Sequence, residues 1–153
     1  MNSLAEQVAA RDVASLFIYT HEAHPGENYQ HLTSMEQKMS HAQDLRDKLG
    51  ITRPILIDVL DGACHRAYGS MPNMSWIFRR NMLPVYKSDW TDANSLSNAI
   101  DYFLDVAERR EKREPLAPFH VERLDYRNQD EEEFYQGLER NGPKAVEEFR
   151  KAF

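Results

Sequence analysis

Two short runs of bulky apolar residues constrain this chain more than any other feature. Ser15 to Thr20 carries Leu-Phe-Ile-Tyr, and Ile55 to Val59, opened by Pro54, carries Ile-Leu-Ile-Asp-Val. Each is too short for a helix of ordinary length and bare enough to read as a buried strand. Between them, Thr33 and Ser34 precede Glu36 and Gln37 at capping-box spacing. Met35, Met39, Ala42, Leu45 and Leu49 then recur at helical intervals before Gly50 closes the segment. Strand, helix, strand is the pattern of an open α/β sheet, where loops at the carboxyl ends of the strands host the chemistry.

The rest of the chain extends this alternation. Leu4 to Arg11 are mostly good helix formers leading into the first strand. Asp61-Gly62 opens a short helical stretch through Tyr68. Ser75 to Phe78 and Leu83 to Lys87 flank a four-residue connection, Arg79 to Met82, of hairpin length but without a glycine. Asp92 caps a helix whose apolar face is Leu96, Ala99, Ile100, Phe103, Leu104 and Ala107. Pro115 and Pro118 break the pattern. Beyond them lie two short helices, Asp130 to Arg140 and Pro143 to Phe153, divided by Asn141-Gly142-Pro143. The division expected is a domain over residues 1–113 and a helical extension over 114–153 packed on it.

Composition narrows the function. Of 153 residues, 41% are hydrophobic and 29% charged, enough for one core and a charged surface. A net charge of -6 argues against nucleic acid as a partner, since such binders concentrate Lys and Arg on one face. No apolar run reaches the ~20 residues that cross a bilayer, and the N-terminus is not signal-like, so a cytoplasmic location is expected. Cys64 is the single cysteine, which excludes a two-cysteine redox cycle within this sequence.

The segment Tyr19-Thr20-His21-Glu22-Ala23-His24-Pro25-Gly26-Glu27 resembles the Tyr-x-x-Glu-Ala-His-Pro signature of iodothyronine deiodinases and their bacterial redoxin relatives. Met35 to Lys38 with His41-Ala42, Ile57 to Gly62, His65 to Tyr68 and Pro72-Asn73 follow in the order and spacing those relatives show, so the resemblance spans roughly residues 10 to 107. It implies a thioredoxin-like redoxin fold, a sheet flanked by helices, with a C-terminal helical appendix. It also implies a cysteine or selenocysteine nucleophile on an upstream strand and helix, facing the Glu-Ala-His-Pro loop. Met1 to Asp12 corresponds to the end of the family's first helix. The first strand–helix unit is therefore expected to be incomplete, with the nucleophile and the strand before it missing from this sequence.

Site residues follow from the resemblance and from side-chain chemistry. His24 takes the active-site role, donating a proton beside a thiolate or selenolate; a His before Pro that only closes a loop is the plainer alternative. Glu22, two residues earlier, shares a face with His24 if the chain stays extended, and would orient the imidazole. Tyr19, Pro25 and Trp90 are expected around the substrate. Cys64 is a second nucleophile candidate if Asp61-Gly62 begins a helix, against the reading of a small buried residue. His21-Glu22-Ala23-His24 falls one residue short of the zinc pattern His-Glu-x-x-His, so no metal is expected, nor any other cofactor. His31 and His41 read as surface residues. Pro72 precedes the third strand too early to serve as a substrate-clamping proline. The acidic run Asp130 to Glu133 reads as the first turn of a helix.

The class these features imply is a thiol or selenol oxidoreductase, reducing a peroxide, disulfide or halogenated aromatic with an external thiol as reductant. The missing nucleophile makes a noncatalytic binding or assembly subunit the alternative. If the segment is genuinely lost, the open sheet edge is expected to be filled by a second copy, a partner chain or a rearranged N-terminus, because an unpaired edge invites strand addition.

Overall fold

The computed structural model describes residues 1–118 and 130–152. It is mixed α/β, with six helices and two two-stranded sheets among those residues. Two compact units divide it. One runs from residue 2 to residue 72 and includes the described residues 130–152; the other holds the described residues 73–118. Phe153, the last residue of the expected final helix, lies outside the described residues.

The first unit opens with α1 (Asn2–Ala9), which buries Leu4 and Val8, one turn apart. Burying side chains of this kind stabilises by about 2 kcal/mol each. The Asn2 side-chain amide donates to the carbonyls of Leu49 and Gly50 at 3.1 and 3.3 Å, which ties the start of α1 to the end of the next helix. Strand β1 (Phe17–Tyr19) pairs in parallel with β2 (Ile55–Ile57), in the register Phe17↔Ile55, Ile18↔Leu56, Tyr19↔Ile57. Both strands are shorter than the apolar runs that announced them.

Between them, α2 (Met35–Leu49) has the caps its sequence foretells. Ser34 accepts from the Gln37 amide, Gln37 Oε1 reaches back to the Thr33 N–H, and Gly50 closes the helix at φ 57°. Its buried stripe is not the one expected. Lys38, His41 and Ala42 face inward, whereas Met39 and Leu49 are each 48% exposed. Positions 38, 41, 42 and 45 make as regular a helical stripe as 35, 39, 42 and 49. The polar choice prevails because Lys38 and His41 both find partners inside. After β2, α3 (Ala63–Tyr68) ends at Gly69, φ 119°.

The C-terminal pair α5 (Glu131–Asn141) and α6 (Pro143–Ala152) belongs to this first unit. Asp130 accepts from the Glu133 amide at the start of α5, and Gly142, φ 115°, separates the helices.

In the second unit, β3 (Ser75–Phe78) and β4 (Pro84–Ser88) pair antiparallel as expected, with an irregularity between Ile77 and Phe78. Met82 takes the left-handed position usually given to glycine, φ 60°, and its amide donates to the Arg79 carbonyl at 2.8 Å. The Asp92 carboxylate accepts from the Ser95 amide to start α4 (Ala93–Glu111). That helix buries Leu96, Ala99 and Ile100 as anticipated; near its end Val106 is buried and Ala107 exposed, the reverse of expectation. None of the helices among the described residues is long and apolar enough to cross a membrane.

Candidate functional site

Parallel pairing brings the carboxyl ends of β1 and β2 to one edge. There the chain leaves Tyr19 into the loop of residues 20–34 and leaves Ile57 into the Asp58 turn before α3. Polar side chains gather at this edge, as the topology of open α/β sheets favours.

Glu22 is the hub. The Tyr19 hydroxyl, on a buried ring, donates to Glu22 Oε1, and His41 Nδ1 lies 3.2 Å from the same oxygen. The Tyr29 ring meets the His41 imidazole edge-on, with centroids 5.1 Å apart. The Tyr29 hydroxyl in turn donates to Asp44 at 3.2 Å and accepts from Lys48. Burial raises the Glu22 carboxyl above its ordinary value, and the charge and hydrogen bond of His41 only partly offset this. A carboxyl so raised, joined to an imidazole and a phenol, is suited to holding and passing a proton.

His24 sits in the same loop but is not oriented by Glu22, whose carboxylate is engaged by Tyr19 and His41. Strand geometry ends at Tyr19 and the chain bends at Ala23 and His24, so the two-residue alternation that would have aligned Glu22 with His24 no longer applies. The half-buried His24 ring instead meets the Phe149 ring edge-on at 5.5 Å, 87° between planes. Its backbone carbonyl accepts from the Asn141 side-chain amide. Pro25 follows, also half-buried, and leads to Gly26, whose amide donates to the Tyr29 carbonyl at 3.0 Å.

A second group lies at the end of β2. The buried Asp58 carboxylate accepts from the Cys64 and His65 amides at 3.0 and 2.9 Å, fixing the first turn of α3. Burial pulls the Asp58 carboxyl upward, but the amides of His65, Cys64 and Val59 and the Lys38 ammonium outweigh it and leave it below its usual value. Lys38, only 1% exposed, donates to the Val59 carbonyl at 3.2 Å. Desolvation lowers its affinity for a proton despite the charges of Asp58 and Asp61. The rings of His21 and His65 stand 4.7 Å apart. His65 Nε2 is 2.9 Å from the Met71 carbonyl, which only accepts, so that nitrogen carries the hydrogen. Burial, followed by the charges of His65, Lys38 and His31, lowers the His21 imidazole.

Cys64 is half-buried, and burial together with the Asp58 carboxylate raises its thiol, the opposite of what an activated nucleophile requires. Trp90 is 45% exposed and belongs to the other unit, where Ser88 accepts from its amide. Of the residues singled out from sequence, the structure places Tyr19 at the end of β1 and Glu22, His24 and Pro25 in the loop that follows, with Cys64 on α3 after the neighbouring strand. Among the described residues, no three His, Cys, Asp or Glu side chains are arranged to hold a metal ion.

His41, read from sequence as a surface residue, is 9% exposed and is the main partner of Glu22. Lys38, Tyr29 and Asn141 were likewise not foreseen. Only His41 and Lys38 left a signal, their shared stripe with Ala42 and Leu45; the reach of Tyr29 and Asn141 depends on tertiary contacts.

Compared with known protein families, curated proteins and solved structures, the chain matches none.

Proposed function

We propose that this chain carries the proton-handling half of a deiodinase-like redoxin site, a thiol or selenol oxidoreductase of the thioredoxin-like class acting in the cytoplasm. The observation that carries the reading is the Tyr19–Glu22–His41 network at the carboxyl end of β1, with His24 two residues further along the same loop. Cys64, whose thiol burial and the Asp58 carboxylate raise, is assigned no nucleophilic role. The reacting thiolate or selenolate comes from a second polypeptide or from chain outside these 153 residues, and the strand bearing it adds to the open β1–β2 pair.

In the proposed step the thiolate attacks one peroxide oxygen. A sulfur–oxygen bond forms, the oxygen–oxygen bond breaks, and the departing alkoxide or hydroxide takes its proton from the His24 imidazolium. An external thiol then reduces the sulfenic acid, releasing water and a disulfide after a second thiol attacks.

The test supplies the nucleophile from solution. Oxidation of thiophenol by hydrogen peroxide is followed with the wild-type chain, Cys64→Ser and His24→Gln. Acceleration over the protein-free rate is expected with the first two proteins and a loss of about 100-fold with the third, the lower range for a general acid. Loss of acceleration in Cys64→Ser would make that cysteine the nucleophile and overturn the proposal. No acceleration by any of the three proteins would favour the second reading, a noncatalytic binding or assembly subunit, which the raised Cys64 thiol also supports.

A further inference from the structure

The C-terminal helices hold the loop of His24 more closely than an appendix needs to. The Asn141 side chain donates through Nδ2 to the His24 carbonyl and accepts through Oδ1 from the Tyr29 amide at 2.8 Å. The Asn141 backbone carbonyl accepts from the Asn28 amide at 3.0 Å, and the Asn28 side chain donates to the Arg140 carbonyl at 2.7 Å. Glu27 reaches the start of α6, where both carboxylate oxygens accept from the Lys144 amide at 3.1 and 3.0 Å. Beside these bonds the Phe149 ring meets His24, with Phe134 and Tyr135 behind it at 4.9 and 6.2 Å. The Asn141 side chain and carbonyl, the Arg140 carbonyl and the Lys144 amide are thus all spent on residues 24–29.

A loop of this length without such contacts would populate many conformations, and fixing one residue's backbone costs roughly 1–2 kcal/mol. Each hydrogen bond here returns about 1 kcal/mol, so the set offsets the ordering of only a few residues. Asn141 is the member that bonds His24 itself and, through Tyr29, the residue whose ring abuts His41. Its amide bonds the His24 backbone carbonyl rather than the imidazole.

We infer that α5–α6 is a clasp built to fix the His24 loop, and that Asn141 is a positioning residue for the His24 imidazole. The consequence for chemistry rests on the proton-donor role proposed for His24; the placement itself does not. Asn141→Asp is the discriminating change. It keeps the acceptor for the Tyr29 amide and removes the donor to His24, setting a carboxylate against the carbonyl.

The experiment is proton NMR and amide exchange on the full chain. Wild type is expected to show a nuclear Overhauser contact between the His24 and Phe149 rings. In Asn141→Asp that contact is expected to disappear and the Asn28 and Tyr29 amides to exchange about tenfold faster. The Gly142 and Ala145 amides, bonded within the α5–α6 turn, report whether those helices remain folded. An unchanged ring contact in the variant, or unchanged exchange at Asn28 and Tyr29, overturns the proposal. Should α5–α6 come away entirely, retention of a native His24 environment overturns it as well. Phe149→Leu keeps every clasp hydrogen bond and must leave the Asn28 and Tyr29 amides as slow as in wild type; faster exchange there would assign the positioning to the ring instead. All of these readouts stand whether or not the chain accelerates thiol oxidation.

Discussion

His41 Nδ1 lies 3.2 Å from Glu22 Oε1, joining the middle of α2 to the loop that follows β1. The contact is largely removed from water; it holds the carboxylate in place and partly offsets the rise that burial imposes on it.

Replacing His41 by Ala is therefore expected to raise the Glu22 carboxyl further, because burial already raises it and His41 is what holds it down. A group raised in the folded state contributes stability that is present below its unfolded value and lost as pH rises through its folded value. The deficit of the variant relative to wild type should grow from acid toward neutral pH, reaching about 2 kcal/mol, the cost of leaving a buried acceptor short of a partner. Denaturant midpoints at several pH values, with a carbon-13 titration of Glu22, check both signs. A pH-independent deficit would mean that His41 matters only as packing.

Asp58 behaves in the opposite sense. Its carboxylate holds the amides of Cys64 and His65 and is lowered in the folded state. Such a group contributes stability that is present above its unfolded value and lost as pH falls through its folded value. Asp58→Ala should cost about 2 kcal/mol at neutral pH, a lost cap together with orphaned amides, and the gap should narrow in acid. Thermal melts of the two proteins from neutral to acid pH decide it; a gap that widens in acid contradicts the assignment.

The local elements were legible in the sequence because their signals are local. Ser34, Gln37 and Gly50 cap α2 through groups within four residues, and Asp92 and Asp130 do the same for α4 and α5. What was not legible was which stripe of α2 faces inward. Met39 is the more apolar choice and is exposed, while Lys38 and His41 are buried because Val59 and Glu22, distant in sequence, supply their partners. The candidate site divides in the same way. The Tyr19, Glu22 and His24 positions stood out as a string, whereas Tyr29, His41 and Asn141 join them only through contacts spanning up to 117 residues.

Lys38→Met tests the second polar group. The Lys38 ammonium is among the charges that lower His21, after burial and His65, so its removal should raise the His21 imidazole part of the way toward its ordinary value. Stability should change by no more than about 1 kcal/mol, since the variant loses a costly buried cation and leaves Asp58 still held by backbone amides. Proton NMR titration of the His21 ring is the measurement. A titration that stays put or moves down would show that the ammonium does not face this imidazole.

Gly26 packs directly against the turn of the C-terminal helices. A Cβ built there would lie 2.5 Å from the Asn141 carbonyl oxygen and 2.9 Å from Asn141 Cγ and Oδ1. The nearest obstacle is backbone, which cannot swing aside as the end of a long side chain can, so Gly26→Ala must push residues 24–29 and the turn at Asn141 apart. Overpacking of this kind costs about 1–3 kcal/mol. It should appear as faster amide exchange at Asn28 and Tyr29, where the clasp bonds are made, while the Phe17 and Asp58 amides that frame β1 and β2 keep their wild-type rates. Uniform loss of protection across both sets would mean that the clasp and the strand pair unfold as one, and the loop could not then be loosened apart from the sheet.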